Sequence, residues 1–496
     1  MTVSLRPYQT ASIEQVRAAI RCGKRRVMLT IPTGGGKTFT SAFVILSALA
    51  KGKRCLFVAH RKELIDQTVA AFVRLGVTSI GVIRAGDKRK NPAATLQIAS
   101  IQTLARRTVD VDFDVVVIDE AHRAVAKSYT LHLFERYPNA LIIGLSATPI
   151  RSDGRPLNSH FDALVIGALY SELIAAGAIV EPRVYSTPVL PDLSSVRTTA
   201  GDFNLEDLEA AVNKGALIGN LLDEWKKHPT QRTVAFAVSV KHSLAIVETF
   251  RAAGVTAEHL DGTTPEAERT AILARLASGE TTLVSNVGVL CEGWDLPSCK
   301  TLILARPTKS LGLYMQMGGR IFRPWEDATP IVLDHGGNVD RHGLPHVDRA
   351  WSLEAKVKKT TEAPTKVCKG CFAYVPAGTR TCPYCGDVFE KDAEDDKPVK
   401  AVEPIPIDLA LRTLDVADGG DPVRLREFRA LHKRCRERGW KLGAAIHRYE
   451  EQFGEPPPKP WIEALKSDAR KDSEWKKKIA ERKARVAETQ QLEEAS

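Results

Sequence analysis

Apolar runs of strand length alternate along this chain with stretches whose apolar positions recur at helical spacing. In the first part the runs are 27–31, 55–59, 96–99, 115–118 and 141–145, with helical patterns at 39–49 and 63–75. The alternation pauses between Glu181 and Asn204, where prolines and small polar residues dominate, and returns with runs at 233–238, 255–260, 281–285, 301–304 and 331–333. Helices are expected over 205–227, interrupted near Gly215, and over 242–253 and 265–277. Thr264-Pro265-Glu266 predicts the start of the last of these, with a hydroxyl cap, proline at the first helical position and an acid in the first turn. Near-continuous apolar strands separated by helices are the pattern of parallel sheets buried on both faces. The expected fold class is therefore α/β, with two tandem parallel-sheet lobes. Ligands of such sheets sit at the carboxyl ends of the strands.

Composition shifts divide the rest. The first lobe is expected over 1–185, a connection over 186–204 and the second lobe over 205–350. A linker at 351–366, a cysteine-bearing segment at 367–388, a second linker at 389–408, an arginine-rich helical module at 409–465 and a charged tail at 466–496 follow. With 44% hydrophobic and 26% charged residues the chain reads as a globular protein, and no segment has the roughly 18 apolar residues of a membrane span. The N-terminus lacks an apolar signal core, so a cytoplasmic location without a membrane partner is expected. The formal charge of +10 favours a polyanionic partner without specifying one.

Chemistry concentrates where the strands end. After the first run comes Thr33-Gly34-Gly35-Gly36-Lys37-Thr38. Glycines let the backbone curl so that several N–H groups face one anion; Lys37 adds a point charge and Thr38 a hydroxyl ligand for Mg²⁺. The loose form of this motif has Gly or Ala where this chain has Ile31. The run at 115–118 ends in Asp119-Glu120-Ala121-His122. Adjacent carboxylates after a buried strand need a cation: Asp119 suits Mg²⁺, and Glu120 suits orienting and deprotonating water.

With these motifs in this order, the chain resembles the superfamily-2 helicases and translocases of the DEAH type, whose fold is two RecA-like lobes. The resemblance implies that Gln9, in Leu5-Arg6-Pro7-Tyr8-Gln9, reads the adenine edge of ATP. It implies that Arg61 and Thr103 in the first lobe, and Ser239 and Thr263 in the second, contact a nucleic-acid backbone. The alternative for Arg61 is a solvated basic turn, and for Thr103 a helix cap. Ser146-Ala147-Thr148-Pro149 is the family's coupling segment, with Ser146 and Thr148 able to bond the acidic segment. In Cys291-Glu292-Gly293-Trp294-Asp295, Gly293 and Asp295 would reach the nucleotide from the far lobe. Gln316, Arg320 and Arg323 match the last motif; the two arginines, three apart on an expected helix, would share a face and meet the γ-phosphate. The catalytic set implied is Lys37, Asp119, Glu120, Gln316, Arg320 and Arg323.

Cys368-Lys369-Gly370-Cys371 and Cys382-Pro383-Tyr384-Cys385 form two close Cys-x-x-Cys knuckles, the spacing of a tetrathiolate Zn²⁺ site in a segment too short for its own core. Gly386 would let a backbone N–H turn toward sulfur. A redox role is the rival reading. Tyr374 and Phe372 could stack on a base or fill the small core. The polar segment Arg151-Ser152-Asp153-Gly154-Arg155, the stretch Asp334-His335-Gly336-Gly337-Asn338 and the 439–454 pattern resemble RadD-like DNA repair ATPases of bacteria and phages. His335, His342 and His346 raise a second metal site, against the simpler reading of a polar docking loop. The resemblance implies an ATP-, Mg²⁺- and Zn²⁺-dependent DNA motor acting on single-stranded or branched DNA, with single-strand-binding or recombination proteins as partners. An RNA helicase and a zinc-bearing DNA adaptor with an inactive motor are the competing readings.

Overall fold

The computed structural model describes residues 4–107, 111–124, 126–151, 154–228, 232–354 and 364–389, and, near the C-terminus, 428, 431–432, 442–453, 456–457 and 462. The N-terminal unit, 1–396, contains two parallel sheets. In the first, β1 (Arg26–Thr30), β2 (Cys55–Ala59), β3 (Ile80–Ile83), β4 (Leu96–Ser100), β5 (Val115–Ile118), β6 (Leu141–Ser146) and β7 (Ala163–Ile166) lie in the order 3-4-2-5-6-1-7. Every residue of β2, β4 and β5 is buried, the consequence of helices on both faces. The register aligns Thr30 with Ser146, Gly144 with Ile118, and Ile118 with Val58. The turns that follow β1, β6, β5 and β2 therefore open side by side. Two strands, β3 and β7, were not legible as apolar runs. They are short and half-buried edge strands, where the constraint on composition is weakest.

The second sheet has the order β12-β13-β11-β14-β15-β8. Its strands are β8 (Arg183–Tyr185), β11 (Thr233–Phe236), β12 (Ala257–Leu260), β13 (Leu283–Asn286), β14 (Thr301–Leu304) and β15 (Ile331–Asp334). The chain thus enters the second sheet at Arg183, within the proline-punctuated stretch. The connection expected over 186–204 contains a hairpin, β9 (Thr198–Thr199) and β10 (Asp202–Phe203). Its turn residues Ala200 and Gly201 both have positive φ, and Asp202 accepts hydrogen bonds from Thr308 Oγ1 (2.7 Å) and Lys309 N (2.6 Å). The interrupted helix resolves into Leu205–Val212 and Gly215–Lys226. The expected cap at Thr264 does not form. Pro265 itself is the cap residue, and the Thr264 hydroxyl turns back to Asp261, which gathers Thr263 and Thr264 into a closed turn.

The cysteine segment is not a separate bead. Its hairpin, β16 (Thr365–Val367) and β17 (Tyr374–Pro376), lies against the edge strand β8: Ala373 bridges to Tyr185, Ser186 N donates to Phe372 O (2.8 Å) and Tyr374 OH donates to Asp340 (2.9 Å). Cys368, Ala373 and Val375 share one apolar cluster with Ala235, Ile303 and Leu333 of the second sheet. An open edge is thereby covered. Tyr374 fills this interface; it is 7% exposed.

In the C-terminal unit a helix spans Leu442–Phe453, and Phe428, Leu431, Ala445 and Tyr449 form a small apolar cluster. The arginine-rich run Arg424, Arg426, Arg429, Lys433, Arg434, Arg436 and Arg438 lies outside the described residues, as do Ser152 and Asp153, most of the two linkers and the 466–496 tail. Among the described residues, no helix is long and apolar enough to cross a membrane.

Phe57, fully buried on the central strand β2, anchors the first sheet. Phe57→Ala is expected to cost about 3–5 kcal/mol in chemical denaturation of the protein.

Candidate active site

After β1 the chain turns through residues 31–36 into the helix Lys37–Leu49. Gly34 (φ +102°) and Gly36 (φ +78°) hold conformations that side chains resist. Space excludes a side chain as well: a Cβ on Gly34 would lie 2.5 Å from Arg323 Nη1, and one on Gly36 2.6 Å from Gln9 Nε2. The turn leads directly into a helix N-terminus, beside Thr33, Gly35, Lys37 and Thr38, where unpaired backbone N–H groups favour an anion. Gln9, 4% exposed, donates to Gly35 O (3.4 Å), and Tyr8 OH donates to the same carbonyl (3.1 Å), so the 5–9 segment is packed onto the loop. Ile31 is fully buried and packs under Gly35. Its departure from the motif fills the core and leaves the cradle untouched.

Asp119 and Glu120 follow β5, two strands from β1. Glu120 sits in the left-handed region (φ 47°, ψ 49°), a costly place for a residue with a side chain. Its Oε2 is buried without a hydrogen-bond partner. His122 Nδ1 lies 3.4 Å away but is hydrogen-bonded to Ser146 Oγ (3.1 Å), which also bonds Thr148 O and N. The coupling segment thus touches the acidic segment through His122. Burial raises Asp119 to about 7, with the Glu120 charge acting in the same direction and Lys37 opposing it. Lys37 keeps a partly accessible side chain, yet burial pulls its ammonium below the usual value against the attraction of Glu120 and Asp119. These groups lack sufficient counter-charge. A magnesium–nucleoside triphosphate complex fits them: a glycine cradle and Lys37 for phosphate, Thr38 and Asp119 for the cation, and the free Glu120 oxygen for a water.

The second lobe contributes from the other side. The arginines are not on a helix, as their spacing had suggested. The helix Leu311–Gly318 ends at the Gly318–Gly319 pair, and Pro324 follows Arg323, so the backbone must leave helical geometry. The turn instead directs both arginines into the seam. Arg320 donates to Trp294 O (2.9 Å) and Gln316 O (3.2 Å), and burial, then the Arg323 charge, lowers its pKa. Arg323 Nε pairs with Asp295 (3.0 Å), while its Nη1 is buried without a partner against Gly34. Gly319 touches the first lobe so closely that a Cβ there would lie 2.7 Å from Thr33 Cβ. Gly293 packs on the helix Lys62–Arg74, with Gln67 donating to its carbonyl at 2.9 Å.

A cleft of about 1200 Å³ opens between the lobes, lined by His60, Gln102, Arg106, Arg123, Arg151 and Arg306 among others, and by Gln316 and the β9–β10 hairpin. The four backbone-contact candidates do not line it. Arg61 donates to Val289 O (3.0 Å) and lies 3.4 Å from Glu292. Thr103 accepts from Ala85 N (3.2 Å). Ser239 caps the helix Val240–Ala252, and Thr263 is tied to Asp261. Arg106, Arg151 and Arg306 escaped sequence reasoning. Arg106 and Arg151 stand just beyond motifs of the first lobe and Arg306 just beyond β14 of the second, and only the fold brings them to one cleft.

The four cysteine sulfurs lie within 4.8 Å of one another. Cys368–Cys385 and Cys371–Cys382 are 3.6 and 3.7 Å apart. A tetrahedral zinc with Zn–S of about 2.3 Å requires sulfurs about 3.8 Å apart, so Zn²⁺ fits. Gly386 has positive φ, but its N–H donates to Cys382 O (3.0 Å) rather than to sulfur. The histidines do not converge: His335 meets Asn220, His342 meets Thr308 O, and His346 meets Glu181. Among the described residues the cysteines are the group of three or more possible ligands whose atoms come together.

Gly319→Ala should hold the lobes apart. ATP turnover is expected to fall at least about tenfold while nucleotide affinity changes little, measured by steady-state kinetics and titration with a fluorescent analogue. For Asp119, the folded pKa lies above the unfolded value. Its contribution is therefore fully present below about pH 4 and is lost as pH rises through about 7. Asp119→Asn should accordingly raise the melting temperature of the nucleotide-free protein at pH 8 and flatten its pH dependence between those values.

Comparison with known proteins agrees with this geometry. The family model for the type III restriction enzyme res subunit matches residues 2–151, and the model for the helicase conserved C-terminal domain matches 213–324. A 51.5 kDa protein of a Lactococcus phage is 30% identical over 378 residues, covering 75% of this chain and 80% of the phage protein. The putative ATP-dependent helicase IRC3 of Saccharomyces cerevisiae is 30% identical over 344 residues, covering 64% of this chain; the chain spans only 49% of that relative. Among solved structures, the ATP-dependent Type ISP restriction-modification enzyme LlaBIII superposes with a TM-score of 0.52 at 20% identity, over 67% of this chain and 27% of LlaBIII. Two RecA-like lobes meeting at a glycine loop, a carboxylate pair and two arginines, with matching models over both lobes, show that the chain belongs to the superfamily-2 helicases, ATP-hydrolysing motors related to those of type I and type III restriction enzymes and to the IRC3 helicases.

Proposed function

We propose that this protein is a DEAH-type, RadD-like motor that couples ATP hydrolysis to movement along DNA, in repair or recombination. The observation that carries the reading is the shared seam: Arg323 of the second lobe reaches Gly34 of the first, next to a cleft walled by arginines from both lobes. In this reading Gln9 senses the base, Lys37 and the loop N–H groups hold the phosphates, and Thr38 and Asp119 hold Mg²⁺, whose charge neutralises that developing on the phosphoryl oxygens. Glu120 uses its unpartnered oxygen to orient and deprotonate water. Arg320 and Arg323 stabilise the transition state, with Asp295 positioning Arg323 and Gln316 supporting Arg320 through its carbonyl. Closing of the lobes on nucleotide and opening after hydrolysis shift the grip along one strand, single-stranded or branched DNA being the substrate class. The DNA-bound state of LlaBIII, which this chain resembles in fold, favours DNA over RNA in this reading. Single-strand-binding or recombination proteins are the partner class proposed, in the cytoplasm.

The test is ATPase activity with single-stranded, duplex and branched DNA and with RNA, using Lys37→Ala as control. Stimulation by DNA, with a loss of at least about 10²-fold in Lys37→Ala, is expected. Stimulation by RNA alone would replace the DNA reading with an RNA helicase, and no hydrolysis with any polynucleotide would favour the adaptor. The cysteine site is proposed to hold a structural Zn²⁺. Metal analysis should find about one zinc per chain, and chelation should lower the melting temperature of the motor, since the ribbon is part of the second-lobe core.

A further inference from the structure

Glu292, on the loop after β13 in the second lobe, has a side chain only 2% exposed. Three side chains of the first lobe, a histidine and two arginines, converge on it. His60 Nε2 lies 2.6 Å from its carboxylate, Arg123 Nη2 2.8 Å and Arg61 Nε 3.4 Å. Among the ion pairs of the described residues, each of these three groups is paired with Glu292 alone. They come from different turns: His60 and Arg61 follow β2, and Arg123 follows the acidic segment after β5. Burial pushes the Glu292 carboxyl up, but the His60 bond and the Arg123, His60 and Arg61 charges outweigh it and hold the carboxyl well below the usual carboxylate range. A buried carboxylate that stays ionised is held by its partners, and losing them would leave an uncompensated charge. The contact therefore exists only while the lobes are together.

The same loop faces the nucleotide site. Trp294 O accepts from Arg320, and Asp295 pairs with Arg323, whose Nη1 lies against Gly34. On its other side, His60 and Arg123 line the large cleft, and His60 O accepts from Gln102, another lining residue (2.9 Å). One loop of the second lobe thus holds the two seam arginines at residues 294 and 295, and a histidine and two arginines of the first lobe at residue 292.

We propose that Glu292 is a positioning residue that transmits closure of the nucleotide site to the cation-lined cleft. This rests on the motor reading above. Closure on nucleotide brings the loop against the first lobe, and the carboxylate then orients His60 and Arg123 toward a phosphate backbone in the cleft. Opening removes that orientation. Coupling of this kind is reciprocal: whatever nucleotide does to strand affinity, strand must do to nucleotide affinity.

The test uses the full chain, zinc-loaded, with fluorophores on unnatural amino acids at the exposed positions Val73 and Leu244, one in each lobe. Energy transfer reports closure on adding a non-hydrolysable ATP analogue, and single-strand affinity is measured with and without it. Glu292→Gln keeps the size of the side chain and removes its charge. It is expected to bind the analogue alone within about twofold of wild type, yet to close several-fold less, and to reduce the nucleotide-dependent change in strand affinity from the roughly 5–150-fold usual for such coupling to below about threefold. Arg123→Gln, at a half-exposed position, is a second variant that perturbs folding little; it should weaken closure partially and add nothing on the Glu292→Gln background. Wild-type closure in Glu292→Gln, or an unchanged coupling ratio, overturns the proposal. If wild type closes but binds no DNA, the DNA reading falls, and the closure measurement still decides the role of Glu292.

Discussion

Neither half of the catalytic seam is electrostatically complete alone. The first lobe buries two adjacent carboxylates beside a lysine whose ammonium is disfavoured there, and the second places two arginines close enough to depress one of them. Such groups are tolerated when opposite charges, hydrogen bonds or a ligand compensate them. Much of the remaining architecture follows from this. The parallel order and level register of β2, β5, β6 and β1 put the turns side by side, and glycines at 34 and 319 let the lobes approach within contact. The strained Glu120 backbone keeps one oxygen free in the seam.

Contact between the lobes is specific because it is polar and short. Gln67 with Gly293 O and the cluster around Glu292 join the loop after β13 to the first lobe, while within the second lobe Asp295 and Trp294 O of the same loop hold Arg323 and Arg320 at the seam. A wholly apolar interface would hold the lobes shut. Charged pairs regain solvation when they part, which would keep the closed and open states of the proposed cycle close in energy.

The cysteine ribbon belongs to the same economy of surfaces. Strand β8 would end the second sheet as an open edge, and the ribbon covers it while contributing Ala373 and Val375 to the core. A segment too small to bury its own core acquires one by sharing the lobe's, and the lobe gains a closed side.

Apolar periodicity and short polar motifs determined much on their own. The alternation of buried strands and helices specified two parallel-sheet lobes, because a strand covered on both faces has little compositional freedom. Glycine spacing before Lys37, the paired carboxylates after 115–118 and the doubled Cys-x-x-Cys each carry their chemistry in a few adjacent residues. Contacts between segments distant in sequence were decided by tertiary structure. The edge strands β3, β7 and β8 depend on which neighbour covers them. The meeting of Arg323 with Gly34, the gathering of Arg106, Arg151 and Arg306 at one cleft, and the convergence of His60, Arg61 and Arg123 on Glu292 join residues up to 289 positions apart. Local spacing misplaced Arg320 and Arg323 on a helix and Thr264 at a cap for the same reason: a glycine pair, a proline and a nearby carboxylate redirected the chain, and their effect depends on what stands across from them in space.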